Sequence, residues 1–115
     1  MVKERNMPLI VVTSMKHTKS VSSRHESGKN LYEFGDVVID NCGPIGDALL
    51  QVESLLMKVC SISSIAGAFI AQGLTAEIIG NLKESGITTP VFISANVDNG
   101  DDYNNALRAK YEGRI

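Results

Sequence analysis

Two short runs, Leu9-Ile10-Val11-Val12 and Val37-Val38-Ile39, constrain this chain more than any other feature. Both are continuous and rich in β-branched residues rather than alternating with polar ones. That pattern belongs to strands covered on both faces in a parallel sheet. The expected fold class is therefore α/β, a parallel sheet flanked by helices. Between the runs lies Thr13–Lys29, a segment crowded with hydroxyls, two histidines and four cations. In open α/β sheets ligands bind beyond the carboxyl ends of the strands. Hydroxyl and cationic groups at that place suit a polyhydroxylated, anionic small molecule, sugar phosphates first among them.

With 115 residues there is room for one domain and one modest core. A net charge of −2 supplies no basic field for nucleic acid or a membrane surface, so any phosphate must be held locally. Cys42 and Cys60 show neither a CxxC nor a Cys/His spacing; small buried hydrophobes in a reducing cytosol, with no metal or other cofactor, are expected. No signal-peptide pattern opens the chain, and Ser, Gln, Thr and Glu interrupt Ser61–Ile79 too often for a membrane span, which places the protein in the cytoplasm.

Val2–Asn6 reads as the last turn of a helix before the first strand, as if the chain were the later part of a larger α/β domain. Ser27 is placed to cap a short helix over Lys29–Phe34, closed by Gly35. Ala48–Cys60 fits both a helix and two extended segments; the absence of a clear cap favours the extended reading. The strongest helix runs from Ser61–Ser64 to about Glu84, with Ile65, Phe69, Ile70, Leu74, Ile78 and Leu82 near helical spacing and Gly86 as its stop. Pro90–Ser94 reads as an edge strand, and Asp101 or Asp102 caps a last helix to about Tyr111.

Three clusters carry chemistry. Ser27-Gly28-Lys29 ends like a P-loop, but the first glycine is missing and Asn30 replaces the metal-binding hydroxyl, which excludes that motif. His25, flanked by Arg24 and Glu26 and close to Ser23 and Ser27, is the candidate for proton transfer near neutral pH. Ser61, Ser63 and Ser64 stand at a helix amino terminus, where free N–H groups and hydroxyls can cradle an oxyanion. The acidic turn Asn96–Asp102 lacks EF-hand spacing; Asn96 and Asp98 are placed to close one wall of a sugar pocket.

Several segments together resemble the later half of a SIS (sugar isomerase) domain: Pro8–Ser14, Ser23–Leu31, Asp36–Asp47 and Ser94–Asp101. The resemblance implies a Rossmann-like three-layer domain with a parallel sheet of about five strands, of which residues 1–115 form a single partial copy. The family's upstream Ser-x-Ser-Gly phosphate loop has no counterpart here, and the histidine of its His-Pro-Gly-Gly segment is absent at Asn96–Asp101. The function it implies is a sugar-phosphate aldose–ketose isomerase or its remnant. The alternatives are a non-catalytic sugar-phosphate-binding module, or an inactive fragment stable as an oligomer. His25 would then be the acid/base, with Thr13, Ser14, Ser23, Ser27, Lys29, Ser61, Ser63, Ser64, Asn96 and Asp98 holding substrate. A homodimer or larger assembly, with the long helix at its interface, is the expected partner arrangement.

Overall fold

The computed structural model describes residues 5–113. Of the helix end expected over Val2–Asn6, Val2–Glu4 lie outside the described residues, and Asn6 adopts a left-handed turn conformation with φ 51°. The fold is a small mixed α/β arrangement in two units, Met1–Leu74 and Thr75–Ile115. Its order is β1 (Ile10–Thr13), α1 (Met15–Thr18), a 3-10 turn (Leu31–Phe34), β2 (Val37–Asp40), β3 (Ala48–Leu50), β4 (Val59–Ser61), α2 (Ser63–Glu84) and α3 (Gly100–Tyr111).

The two apolar runs do pair in parallel, with Ile10 opposite Val37 and Val12 opposite Ile39. Val11 and Val38 share one face, which the 3-10 turn approaches through Gly35. A Cβ at Gly35 would lie 3.1 Å from both valine Cγ2 atoms. Val11 is the one buried hydrophobic side chain among the described residues, at 3% exposure. The 3-10 turn starts at Asn30, whose N–H donates to Glu33 Oε2 at 2.6 Å, rather than at the expected Ser27. The opposite face of the pair carries Ile10 (53% exposed), Val12 (40%), Val37 (52%) and the half-buried Ile39.

The structure bears out the α/β class and one parallel strand pair, while the expected multi-stranded, Rossmann-like sheet is not shown among the described residues. Among the described residues there are two separate two-stranded sheets, β1–β2 parallel and β3–β4 antiparallel. The strands form where the apolar runs predict them, but the expected cover on both faces is absent among the described residues: of the β1 and β2 residues only Val11 is buried. The strands that would flank β1 and β2 are not among the elements that follow. Residues 48–60 instead resolve as two extended ends joined by a loop, with Ala48 opposite Ser61 and Leu50 opposite Val59.

Helix α2 ends as the glycine at 86 suggests: Ile87 N–H donates to the Leu82 carbonyl and Gly86 N–H to that of Lys83, with Gly86 at φ 75°. This is the Schellman arrangement, which left-handed backbone permits. None of its residues is buried, and Ile65, Phe69 and Ile78 stand exposed. By length and composition alone the helix is long and apolar enough to cross a membrane, which corrects the expectation that polar residues break the segment too often. A helix of ~33 Å that is apolar all round needs cover on more than one side.

In the second unit the expected edge strand over Pro90–Ser94 does not form. The side chain of Asn104 takes the place of a neighbouring strand, accepting from Ile93 N–H at 3.0 Å and donating to the Ile93 carbonyl at 2.8 Å. Helix α3 begins two or three residues earlier than expected, after Asn99 at φ 62°, with Asp101 and Asp102 in its first turn and Arg108 and Lys110 in its last. Those charges complement the helix dipole. Both cysteines are exposed free thiols, contrary to the expected burial.

Candidate functional site

The carboxyl ends of β1 and β2 open into a cleft of about 310 Å³ lined by Val12, Thr13, Ser14, His17, Asn41, Pro44, Asp47 and Ser63. Ser14 is the hinge of this wall. Its hydroxyl accepts the His17 N–H at 3.0 Å, capping the single turn of α1, and donates to the Gly43 carbonyl at 2.6 Å. One side chain thereby ties the exit of β1 to the turn after β2. Asp40, the last residue of β2, makes the reciprocal tie by accepting the Met15 N–H (3.1 Å) and the Cys42 N–H (2.9 Å).

His17 is positioned across the same gap. Its Nδ1 accepts the Gly46 N–H at 3.1 Å, so the neutral ring carries its proton on Nε2. Gly43 is buried between Asn41, Ile62 and Ser14, and its N–H donates to Asn41 Oδ1 at 2.9 Å. A Cβ there would lie 3.1 Å from that oxygen and would press on the Asn41 side chain.

Asp47 completes the wall. It stands at φ 69° in the centre of a three-residue turn closed by Ala48 N–H on the Gly46 carbonyl at 2.8 Å. Such turns are rare and strained for residues with a side chain. The carboxylate thereby reaches the amino end of α2. It accepts the Ser63 N–H at 2.8 Å, the Ser63 hydroxyl at 2.7 Å and the Ser61 hydroxyl. The oxyanion position anticipated at Ser61–Ser64 is thus filled by the chain's own carboxylate.

These contacts hold the Asp47 carboxyl below its ordinary value of 3.8, chiefly through the Ser61 hydroxyl, then the Ser63 hydroxyl and N–H, with His17 nearby. Asp40 is held below 3.8 by the N–H groups of Met15 and Cys42, with Lys19 adding attraction. A depressed carboxyl stabilises the folded form fully above its unfolded value and loses that contribution as pH falls through its folded value. On acidification the Ser63, Met15 and Cys42 amide signals are therefore expected to titrate with midpoints below 3.8. A midpoint at or above that value in an amide-resolved pH titration would contradict these ties.

The anticipated site residues divide into three places. Thr13, Ser14 and Ser63 line the cleft, and Ser61 borders it through Asp47. His25 and Lys29 line a separate recess of about 340 Å³ with Leu31 and Phe34, sharing no lining residue with the cleft. There His25 Nδ1 lies 2.8 Å from the Ser27 hydroxyl, and Lys29 Nζ sits 5.7 Å from the centre of the Phe34 ring. Ser23 braces this loop by donating to the Lys29 carbonyl at 2.8 Å. Ser64 is exposed in the first turn of α2. Asn96 and Asp98 belong to the second unit, where Asn96 N–H donates to the Ser94 hydroxyl.

His17, Asn41 and Asp47 were missed by sequence reasoning. The available signal for His17 was its place three residues after Ser14, a serine at a strand exit that caps the next turn. No local signal connects Asp47 to a helix that starts 16 residues later. Among the described residues, no group of three or more His, Cys, Asp or Glu is placed to hold a metal ion.

No family model matches the chain. It is similar over 98% of its length to a UPF0309 protein of Oceanobacillus iheyensis, at 43% identity. A UPF0309 protein of Shouchella clausii is 44% identical over the same share, and one of Listeria monocytogenes serovar 1/2a is 43% identical over 99%. The chain spans about half the length of these relatives, 46%, 46% and 49% respectively. These findings overturn the resemblance to a sugar isomerase domain: the similar proteins carry the UPF0309 name, no SIS domain is indicated, and the isomerase assignment falls with it.

Proposed function

We propose that this chain supplies a binding wall for a polyhydroxylated, phosphorylated small molecule of the sugar-phosphate class, held in the cleft at the carboxyl ends of β1 and β2. The observation that carries the reading is the donor set of that cleft. His17 Nε2–H, the Asn41 Nδ2 amide and the Thr13 hydroxyl have no hydrogen-bond partner among the described residues, whereas Asp47 is already engaged by Ser61 and Ser63. Donors of this kind match the oxygen atoms of hydroxyl and phosphoryl groups. The negative charge of Asp47 turns a phosphate away from the start of α2 and toward the Thr13–His17 side. The sugar hydroxyls are left to Asn41 and Ser63.

In this reading β1 and β2 are the centre of a wider parallel sheet flanked by helices, the setting in which strand ends make ligand crevices. A single wall gives weak affinity, with Kd on the order of 1 mM, about −4 kcal/mol. Equilibrium titration with a hexose phosphate, the parent hexose and inorganic phosphate tests it. The hexose phosphate is expected to bind tightest, and His17→Ala to weaken it about fivefold or more by removing one charge-assisted donor. Equal affinity of wild type and His17→Ala, or no preference for the hexose phosphate, would contradict the proposal.

A further inference from the structure

We infer that the uncovered face of the β1–β2 pair is a docking surface for the polypeptide corresponding to the part of the UPF0309 relatives that lies outside their match to this chain. The face is made of two register pairs, Ile10 with Val37 and Val12 with Ile39. All four side chains are β-branched and apolar. Ile10 and Val37, directly opposite each other, are both more than half exposed. Parallel strands are covered on both faces in nearly every known sheet, because their connections carry helices onto those faces. Here the 3-10 turn covers only the Val11–Val38 side, through Gly35. The outer edges of both strands are also unpaired among the described residues, and open edges recruit further strands.

The relatives indicate the occupant. The Oceanobacillus iheyensis protein matches nearly the whole of this chain, yet 46% of its own length suffices for the match. A little over half of that protein is therefore additional polypeptide, joined to a region 43% identical to this chain. In that relative the additional polypeptide is tethered to the matching region, so it meets the corresponding strand face at high effective concentration. The inference concerns association and does not depend on the ligand proposed for the cleft.

The test is co-expression of this full chain with the non-matching portion of the Oceanobacillus iheyensis protein, purified through a tag on one partner. A one-to-one complex is expected, with slowed hydrogen exchange at the β1 and β2 amides. Ile10→Lys and Val37→Lys should each lower complex recovery about tenfold or more, since docking would bury an unpaired ammonium group. Glu53→Lys, in the exposed loop between β3 and β4, should leave recovery unchanged. Both lysine variants replace side chains already exposed to water, so the chain keeps its own contacts. Absence of a complex, self-association in its place, or a complex indifferent to both strand substitutions would each overturn the inference.

Discussion

Asp47→Ala is expected to loosen the first turn of α2 and to raise hexose-phosphate affinity about threefold or more, because the charge that turns the phosphate away is gone and the Ser61 and Ser63 donors are freed. The substitution removes the acceptor shared by the Ser63 N–H, the Ser63 hydroxyl and the Ser61 hydroxyl. Without it the amino end of α2 loses the negative charge that complements its dipole, and the turn after Pro44 loses its anchor. The strained backbone at φ 69° gives a useful control. Asp47→Gly removes the same carboxylate but relieves the left-handed conformation, so it should fold better than Asp47→Ala while showing the same change in affinity. Titration combined with amide exchange at Ser63 and Ser64 reads both effects. Wild-type or weaker affinity in Asp47→Ala would show that the carboxylate does not steer the phosphate.

Gly100→Ala is expected to destabilise the second unit by about 3 kcal/mol, at the upper end of overpacking costs. Gly100 is buried at the first position of α3, and a Cβ there would fall onto the Ser94 carbonyl oxygen. The neighbouring atom is backbone, with the Ala95 Cα only 3.1 Å from the same point, so no flexible side chain can give way. The turn from Ser94 to Asn99 must open, breaking the Gly100 N–H bond to the Val97 carbonyl at 3.0 Å. Amide exchange along α3 should accelerate selectively, while the cleft residues of the first unit keep their rates. Unchanged exchange in α3 would contradict this packing account.

What was legible in the chain follows a physical division. Ile10–Val12 and Val37–Ile39 announce strands because stiff β-branched side chains fit the pleated surface of a sheet, and each run pairs with the other. Helix α2 is equally local: its apolar spacing and Gly86 specify a start, a run and a Schellman stop. The errors lie where a group other than the expected one satisfies the backbone or the cap. Pro90–Ser94 has strand composition, but Asn104 from α3 satisfies the Ile93 backbone and no ladder forms. Ser27 looked like the cap of the 3-10 turn, yet its hydroxyl is engaged with His25 while Glu33 reaches back to the Asn30 N–H.

The candidate site shows the same division. Ser61 and Ser63 were recognisable as a polar helix start, and Thr13 and Ser14 as a strand exit. Which of the two histidines joins them is decided by Ser14, which caps α1 and so brings His17 to Gly46. His25 lies eight residues further on, and its loop folds against Lys29 and Phe34 instead. Asp47 was invisible as a site residue because its role depends on a left-handed turn and a contact across 16 positions.

An amide-resolved titration of the unmodified chain with a hexose phosphate tests the central claim most directly. Saturable shifts are predicted at Thr13, Ser14, His17, Asn41 and Ser63, the residues that line the cleft with polar groups. The recess formed by His25, Lys29, Leu31 and Phe34 should stay silent. Shifts confined to that recess, or none at the cleft with about 10 mM ligand, tenfold above the expected Kd, would contradict the account.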